Sequence, residues 1–455
     1  MKNVLTTATM KKKYLNTLVA LALLGAVWGA ITIYDRRKSR ETPKIETTKE
    51  EKILPLDSQH IQAIAFHPRD GEAVTCRRTG SMWSIVDPKM VPADATAVSS
   101  FLSSLTAATV SEVVDPHPAS LKDFGLDPPA FTLEVSTDAK PPSFTLNLGD
   151  DTPTSGGVYA QVAGNPRVFT LASYLKTSLE KKLFDLRDRR AVTLDADQLR
   201  KIEVEWKGKK YLVEKNPEGV WDLDLPPPVR ADRFSVEGLV SQLRGLTMQS
   251  IAAEDEKKSA EYGFGSPELR LQLTGTNGAQ TLVLGKKDKE GDRYFASNSA
   301  LDPVFTLSTE FLNTFKKDPA DLREKDLWSW SSFEVKHLEM DTPKGHRVFE
   351  QQKDGKWKQT APAAKALPSD KVDSFLSRLR DFRAESFPKG GDLAQSGLAK
   401  PPYRFTIQFG DKNQTEAVEV AKVGDHTYAR RTTDSLPCEL SKTALDDLEK
   451  ALKDL

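Results

Sequence analysis

Apolar residues recur in three matched stretches. Gly80-Ser81-Met82-Trp83 is followed by Val98, Phe101, Leu102 and Leu105, Gly219-Val220-Trp221 by Val236, Leu239, Val240 and Leu243, and Gly355-Lys356-Trp357 by Val372, Phe375, Leu376 and Leu379. Trp to Val is fifteen residues each time. The apolar set then falls at i, i+3, i+4 and i+7, one face of an amphipathic helix. A repeat this regular sets the architecture before any single residue does.

Alternation around each helix predicts strands. In the second copy Ile202–Trp206 and Tyr211–Glu214 read as a hairpin turning at Lys207–Lys210, and a short strand begins at Trp221. Pro226-Pro227-Pro228 interrupts that strand, and Asp232 is placed to cap the helix. Beyond the turn at Tyr262–Pro267, strands are predicted at 269–273, 281–285, 293–296 and 304–307, in meander order, with a short closing helix through Phe311, Leu312 and Phe315. The first copy repeats this order from Ile61 to Leu183. The third runs from Phe333 to a closing helix through Leu445, Leu448 and Leu452, its central helix beginning at Pro368-Ser369-Asp370 without the aspartate cap. The predicted fold is α+β: three tandem antiparallel-sheet modules with one central and one closing helix each, at 57–190, 191–325 and 326–455.

The N-terminus departs from this pattern. Residues 14–34 contain no charge and as a helix reach about 31 Å, enough for a hydrocarbon core of about 30 Å. They are read as an uncleaved transmembrane anchor between a cytoplasmic segment at 1–13 and a charged linker at 35–56. A cleaved signal peptide is the rival, but the apolar run continues well past Ala20-Leu21-Ala22. Arg36, Arg37, Lys38 and Arg40 balance Lys2, Lys11, Lys12 and Lys13, so flanking charge opposes an N-in orientation. Long domains translocate despite such charges. The expectation is therefore a single-pass bacterial inner-membrane protein with its bulk in the periplasm.

Of 455 residues, 38% are hydrophobic and 29% charged, which marks the bulk as globular. Net charge is zero, but residues 1–52 carry 11 Lys/Arg against 5 Asp/Glu, leaving 54 against 60 in the remainder. A mildly acidic body lacks the basic footprint that phosphate-backbone binding needs, so nucleic acid is not an expected partner. Cys76 and Cys438 occupy non-corresponding positions. Cys438 aligns with Val168-Phe169 and Val304-Phe305 and reads as a small buried hydrophobe.

The sequence carries none of the common catalytic signatures. No Gly-x-x-x-x-Gly-Lys-Ser/Thr loop, Gly-x-Ser-x-Gly elbow or His-Glu-x-x-His pair occurs. His60, His67, His117, His337, His346 and His426 share no ligand spacing, and Asp195-Ala196-Asp197 and Asp222-Leu223-Asp224 lack the glycine and terminal glutamate of a calcium loop. Trp83, Trp221 and Trp357 are read as core and not as sugar-stacking platforms. Arg187 and Arg323, in the shared Asp-Leu-Arg segments, are read as structural contacts fixing module junctions and not as ligand-binding groups. No catalytic, cofactor-binding or metal-binding residue is singled out, and no enzyme activity or cofactor is expected.

The Gly-x-Trp strand and its helix, the turns Gly125-Leu126-Asp127-Pro128 and Gly397-Leu398-Ala399-Lys400-Pro401, the Leu-Gly strand end and the Tyr-Ala strand together resemble the bacterial domain-of-unknown-function 4340 family. The resemblance covers nearly everything after residue 56, although the second copy's Gly265-Ser266-Pro267 is shorter. It implies a membrane-anchored envelope protein associated with gliding-motility-type ABC transporters, and it carries no catalytic residues. The expected function is that of a non-enzymatic scaffold or accessory component binding a partner such as an ABC-type export system. The alternative is a cell-wall or polysaccharide-binding protein, with an enzyme left open.

Overall fold

The structure, a computed structural model, describes residues 51–140, 142–153, 156–225, 228–255, 260–388 and 391–455. The run at 14–34 read as a membrane span lies outside the described residues. No helix among the described residues is long and apolar enough to cross a membrane. The chain divides into two compact units, residues 1–188 and 189–455.

The first unit holds β1 (Ile61–Pro68), β2 (Val74–Thr79), β3 (Met82–Asp87), β4 (Val91–Pro92), α1 (Ala95–Ala107), β5 (Glu112–Asp115), β6 (Phe131–Thr137), β7 (Ser143–Asp151), β8 (Gly157–Val162), β9 (Val168–Ala172), α2 (Ser173–Leu179) and α3 (Leu183–Leu186). Its nine strands form one antiparallel sheet in the order β4-β3-β2-β1-β6-β7-β8-β9-β5.

The second unit repeats the plan twice. One sheet comprises β10 (Leu199–Trp206), β11 (Lys209–Lys215), β12 (Trp221–Leu223), β13 (Val229–Arg230), β14 (Ser250–Ala253), β15 (Leu269–Gly275), β16 (Gly278–Lys287), β17 (Arg293–Asn298) and β18 (Val304–Ser308), with α4 (Arg233–Arg244) and α5 (Thr309–Phe315). The other comprises β19 (Val335–Thr342), β20 (Gly345–Gln351), β21 (Trp357–Ala361), β22 (Lys365–Leu367), β23 (Tyr403–Phe409), β24 (Gln414–Val423), β25 (His426–Arg431) and β26 (Cys438–Leu440), with α6 (Ser369–Arg380) and α7 (Ala444–Asp454). Strand order is the same in all three, except that the last sheet has eight strands and, beyond β26, only an isolated bridge from Ser386 to Glu439 where the others place a ninth strand. The α+β assignment with repeated antiparallel modules is therefore correct.

Hairpin and meander, predicted as separate runs, join edge to edge. β1 pairs β6, β10 pairs β15 and β19 pairs β23, all antiparallel. The seam is apolar because alternate residues point to one face: Ile64 faces Val135, Ile202 faces Leu273 and Leu338 faces Ile407. All six are buried. The central helix covers this seam. Phe101 of α1 meets Phe66 at 5.0 Å between ring centroids, and Phe375 of α6 meets Phe405 at 6.2 Å. Each buried phenylalanine contributes on the order of 2–3 kcal/mol. Asp94 accepts from the amides of Thr96 and Ala97, and Asp232 from that of Ser235, whereas Pro368 offers no side-chain cap to α6.

Candidate binding recesses of the first module

The three modules repeat one plan, each around its own core, so their differences mark where a module-specific task is performed. Lys207-Gly208 closes the β10–β11 hairpin with both residues at positive φ, the type I′ geometry that suits a two-residue connection. Pro343-Lys344 makes the equally short β19–β20 connection. The corresponding connection in the first module, from Pro68 to Val74, spends residues 69–73. Arg69 fastens this longer loop: its amide donates to the Ala130 carbonyl at 2.9 Å and its guanidinium to the Pro128 carbonyl at 3.0 Å.

Beside that loop lies a cleft of about 550 Å³, floored by Pro68, Ala130 and Phe131 and walled by Leu183 and Phe184. Asp70, Glu72 and Glu180 bring carboxylates to it, and Lys181 and Lys182 bring cations. Burial pushes the Glu180 carboxyl above its usual range; Lys176 works against that shift and Asp151 adds to it. An apolar floor with a few charged groups at its rim, at this volume, is the form of a ligand or peptide site.

A second recess, about 250 Å³, opens at the other end of β2 and β3. Trp83 lines it with Arg78, Gln59, Ser81, Ser99 and Ser103. The motif tryptophans therefore part company. Trp221 and Trp357 are buried at 7% and 2% exposure, as read from sequence, while Trp83 packs on the first module's core but is only partly covered.

The Asp-Leu-Arg segments prove to be backbone ties within a module. The Leu186 carbonyl accepts from the amide of the cap residue Asp94 at 2.8 Å, and the Leu322 carbonyl from that of Asp232 at 2.7 Å. Both arginines are buried. The guanidinium of Arg323 lies 3.8 Å from the centroid of the Phe387 ring, where the second and third modules meet inside one unit.

Among the described residues, two acidic groupings have ligand-like spacing. Glu339, Asp341 and His346 converge on the β19–β20 hairpin, and Asp288, Glu290 and Asp292 on the β16–β17 turn. At the positions of the first trio the second module carries Glu203, Glu205 and Lys210, with Lys210 Nζ 2.7 Å from Glu203. The trio is thus the third module's version of a cross-strand charge pair, with His346 Nδ1 2.8 Å from Asp341. Asp288 is occupied as a turn cap, accepting from the Gly291 amide at 2.8 Å.

Cys76 and Cys438 are free thiols, each buried in its own module's core. Cys438 pairs with Ala429 just as Phe169 pairs with Ala160 and Phe305 with Ala296, so it does fill a hydrophobe's place. Burial pushes both thiols up to about 12, with Arg323 and Arg431 opposing the rise at Cys438. A raised folded-state pKa means this stabilisation is complete below the ordinary value of 9.0 and is lost as pH rises toward 12. Ellman's reagent at pH 8 is therefore expected to leave the native chain unlabelled and to titrate both thiols in denaturant. Prompt labelling of either thiol in the native state would show that its packing is open.

Repeated antiparallel sheet-and-helix modules with a recessed first copy define a class of α+β repeat protein. A family model described as a domain of unknown function (DUF4340) matches residues 83–228 and again 221–401. Those two stretches cover more than half of the chain, which belongs to this family. No curated protein matches the chain, and no solved structure does.

Proposed function

We propose that the chain is a non-enzymatic, membrane-anchored protein of the bacterial envelope, a scaffold or accessory component whose first module binds a protein partner such as a subunit of an ABC-type export system. The observation that carries this reading is the cleft beside residues 69–73. Two modules close the same hairpin with two-residue turns, whereas the first spends residues 69–73 there, and a charged-rimmed apolar hollow lies beside that longer loop. The uncharged run at 14–34 supports attachment to a membrane, and the family resemblance supports the transporter class of partner.

Affinity purification of the tagged full-length chain from solubilised membranes is expected to recover a transporter subunit. Replacing residues 69–73 by the Lys-Gly turn of the second module should lower that recovery several-fold. The reading fails if no membrane protein co-purifies reproducibly. It also fails if recovery is unchanged when the loop is replaced.

A further inference from the structure

Trp83 differs from its counterparts in what surrounds it. In the second module Lys215 stands opposite Trp221 and places its ammonium 4.9 Å from the ring centroid, so a cation lies over a tryptophan that is itself buried. In the first module Arg78 stands opposite Trp83, on the same face of the β2–β3 hairpin. Its guanidinium is committed elsewhere: Nε donates to the Gly80 carbonyl at 3.0 Å and Nη1 to the Gln59 carbonyl at 2.9 Å. That ties down the rim of the recess and keeps Arg78 from acting as a mobile counter-ion.

The neighbouring helix differs in the same direction. α4 carries Arg233, Glu237 and Arg244, and α6 carries Asp370, Lys371, Asp373, Arg378 and Arg380. α1 has no charged residue at all. Its exposed positions lining the recess beside Trp83 are Ala95, Ser99 and Ser103, each one turn from the next on a single face and none of them charged. An exposed helix gains solubility from charge, and this one forgoes it where the tryptophan is uncovered.

An indole against a rim of hydroxyls, with an amide and an arginine fixed at the edge, combines an apolar face with neutral donors and acceptors. A pyranose ring presents the complement: an apolar C–H face and an equatorial belt of hydroxyls. A phosphate or carboxylate ligand would instead call for free cations, which this rim does not present. At about 250 Å³ the recess has room for one ring.

We infer that the Trp83 recess is a binding subsite for a neutral sugar unit of a glycan chain, stacked on the indole and hydrogen-bonded by Ser99, Ser103 and Gln59. This does not depend on a transporter partner. It confines the saccharide-binding alternative to one module.

The test is calorimetric titration of the full-length, detergent-solubilised protein with cellotetraose, chitotetraose and maltotetraose, with a heparin tetrasaccharide as the polyanionic arm. At least one neutral tetrasaccharide should bind with a millimolar or tighter Kd, and Trp83→Ala should weaken it about tenfold or more. Because Trp83 also touches the core, the Ser99→Glu/Ser103→Glu double variant provides a check at exposed positions. It should lose binding to the same degree with an unchanged circular dichroism spectrum. No binding of any neutral tetrasaccharide, binding of the polyanion alone, or neutral binding that survives the serine double variant would each overturn the assignment.

Discussion

Gly285→Ala is expected to destabilise the second module by about 3 kcal/mol. A Cβ built at Gly285 would lie 1.8 Å from the Tyr262 carbonyl oxygen and 3.0 Å from the Phe264 ring. The obstacle is backbone, held in place by the Tyr262 ring edge-on to Phe295 at 5.1 Å, so no side-chain rotation relieves it. The first module is built in the same way. Gly149 would meet the Phe124 carbonyl at 2.1 Å, and Phe124 packs edge-on to Tyr159 at 5.1 Å. Both glycines sit where the pairing register shifts, between Leu284 and Lys287 and between Leu148 and Asp151, a bulge into which the turn is pressed.

The third module supplies the internal control. Its β24–β25 ladder runs through Val420, Ala421 and Lys422 without a shift, and Ala421 occupies the place of the glycine. Ala421→Gly should therefore cost less than about 1 kcal/mol. Gly238 lies exposed inside α4, and a methyl group added there would meet nothing within 4 Å. The opposite sign is expected at that position, with Gly238→Ala stabilising by about 0.5–1 kcal/mol. Urea denaturation followed by tryptophan fluorescence and circular dichroism measures all three. A Gly285→Ala midpoint indistinguishable from the parent would mean that the Tyr262 turn is not packed against β16.

This contrast shows how far the fold was legible. Period-2 and period-3.6 patterns locate the long strands and central helices because burial on one face dictates them. The Leu-Gly strand end was visible as a repeated motif, but its reason was not, since the crowding carbonyl comes from a turn 23 residues upstream in the second module. The β1–β6 class of pairing was hidden for the same cause: it joins strands on either side of a helix, and no local signal encodes a distant partner. Two-residue strands such as β4 and β13 carry too little pattern to be read.

The candidate recesses were partly legible. The Pro68–Val74 connection is longer than Lys207-Gly208 in the aligned copies, and α1 lacks the charges of α4 and α6, so both differences could have been counted from sequence. Partial exposure of Trp83 could not. It depends on Arg78 bonding to carbonyls and not covering the ring.

Arg431→Ala is expected to lower the stability of the third module by about 3 kcal/mol, the cost of leaving buried groups unpaired together with a cavity. Arg431 is 4% exposed. Its Nε donates to the Leu327 carbonyl at 3.1 Å, its Nη2 to the Asp326 carbonyl, and Nη1 lies 3.4 Å from Asp434. Asn298 holds the same strand position in the second module and donates to the equivalent carbonyl, that of Ala191, at 2.7 Å. The first module has Val162 there, partly buried and packed against its apolar core, and Ile53 on the entering segment, within that core. In the later two modules this strand position thus holds the entering segment through a polar side chain, whereas the first module has apolar residues at both places. Arg431→Lys should recover little, because one ammonium cannot span two carbonyls and a carboxylate as the fork does. The readout is hydrogen exchange of the Leu327 amide, which donates to the Phe382 carbonyl at 3.2 Å, alongside the urea midpoint. If Arg431→Ala leaves both the midpoint and Leu327 protection at parental values, the guanidinium does not hold that segment and its burial is incidental.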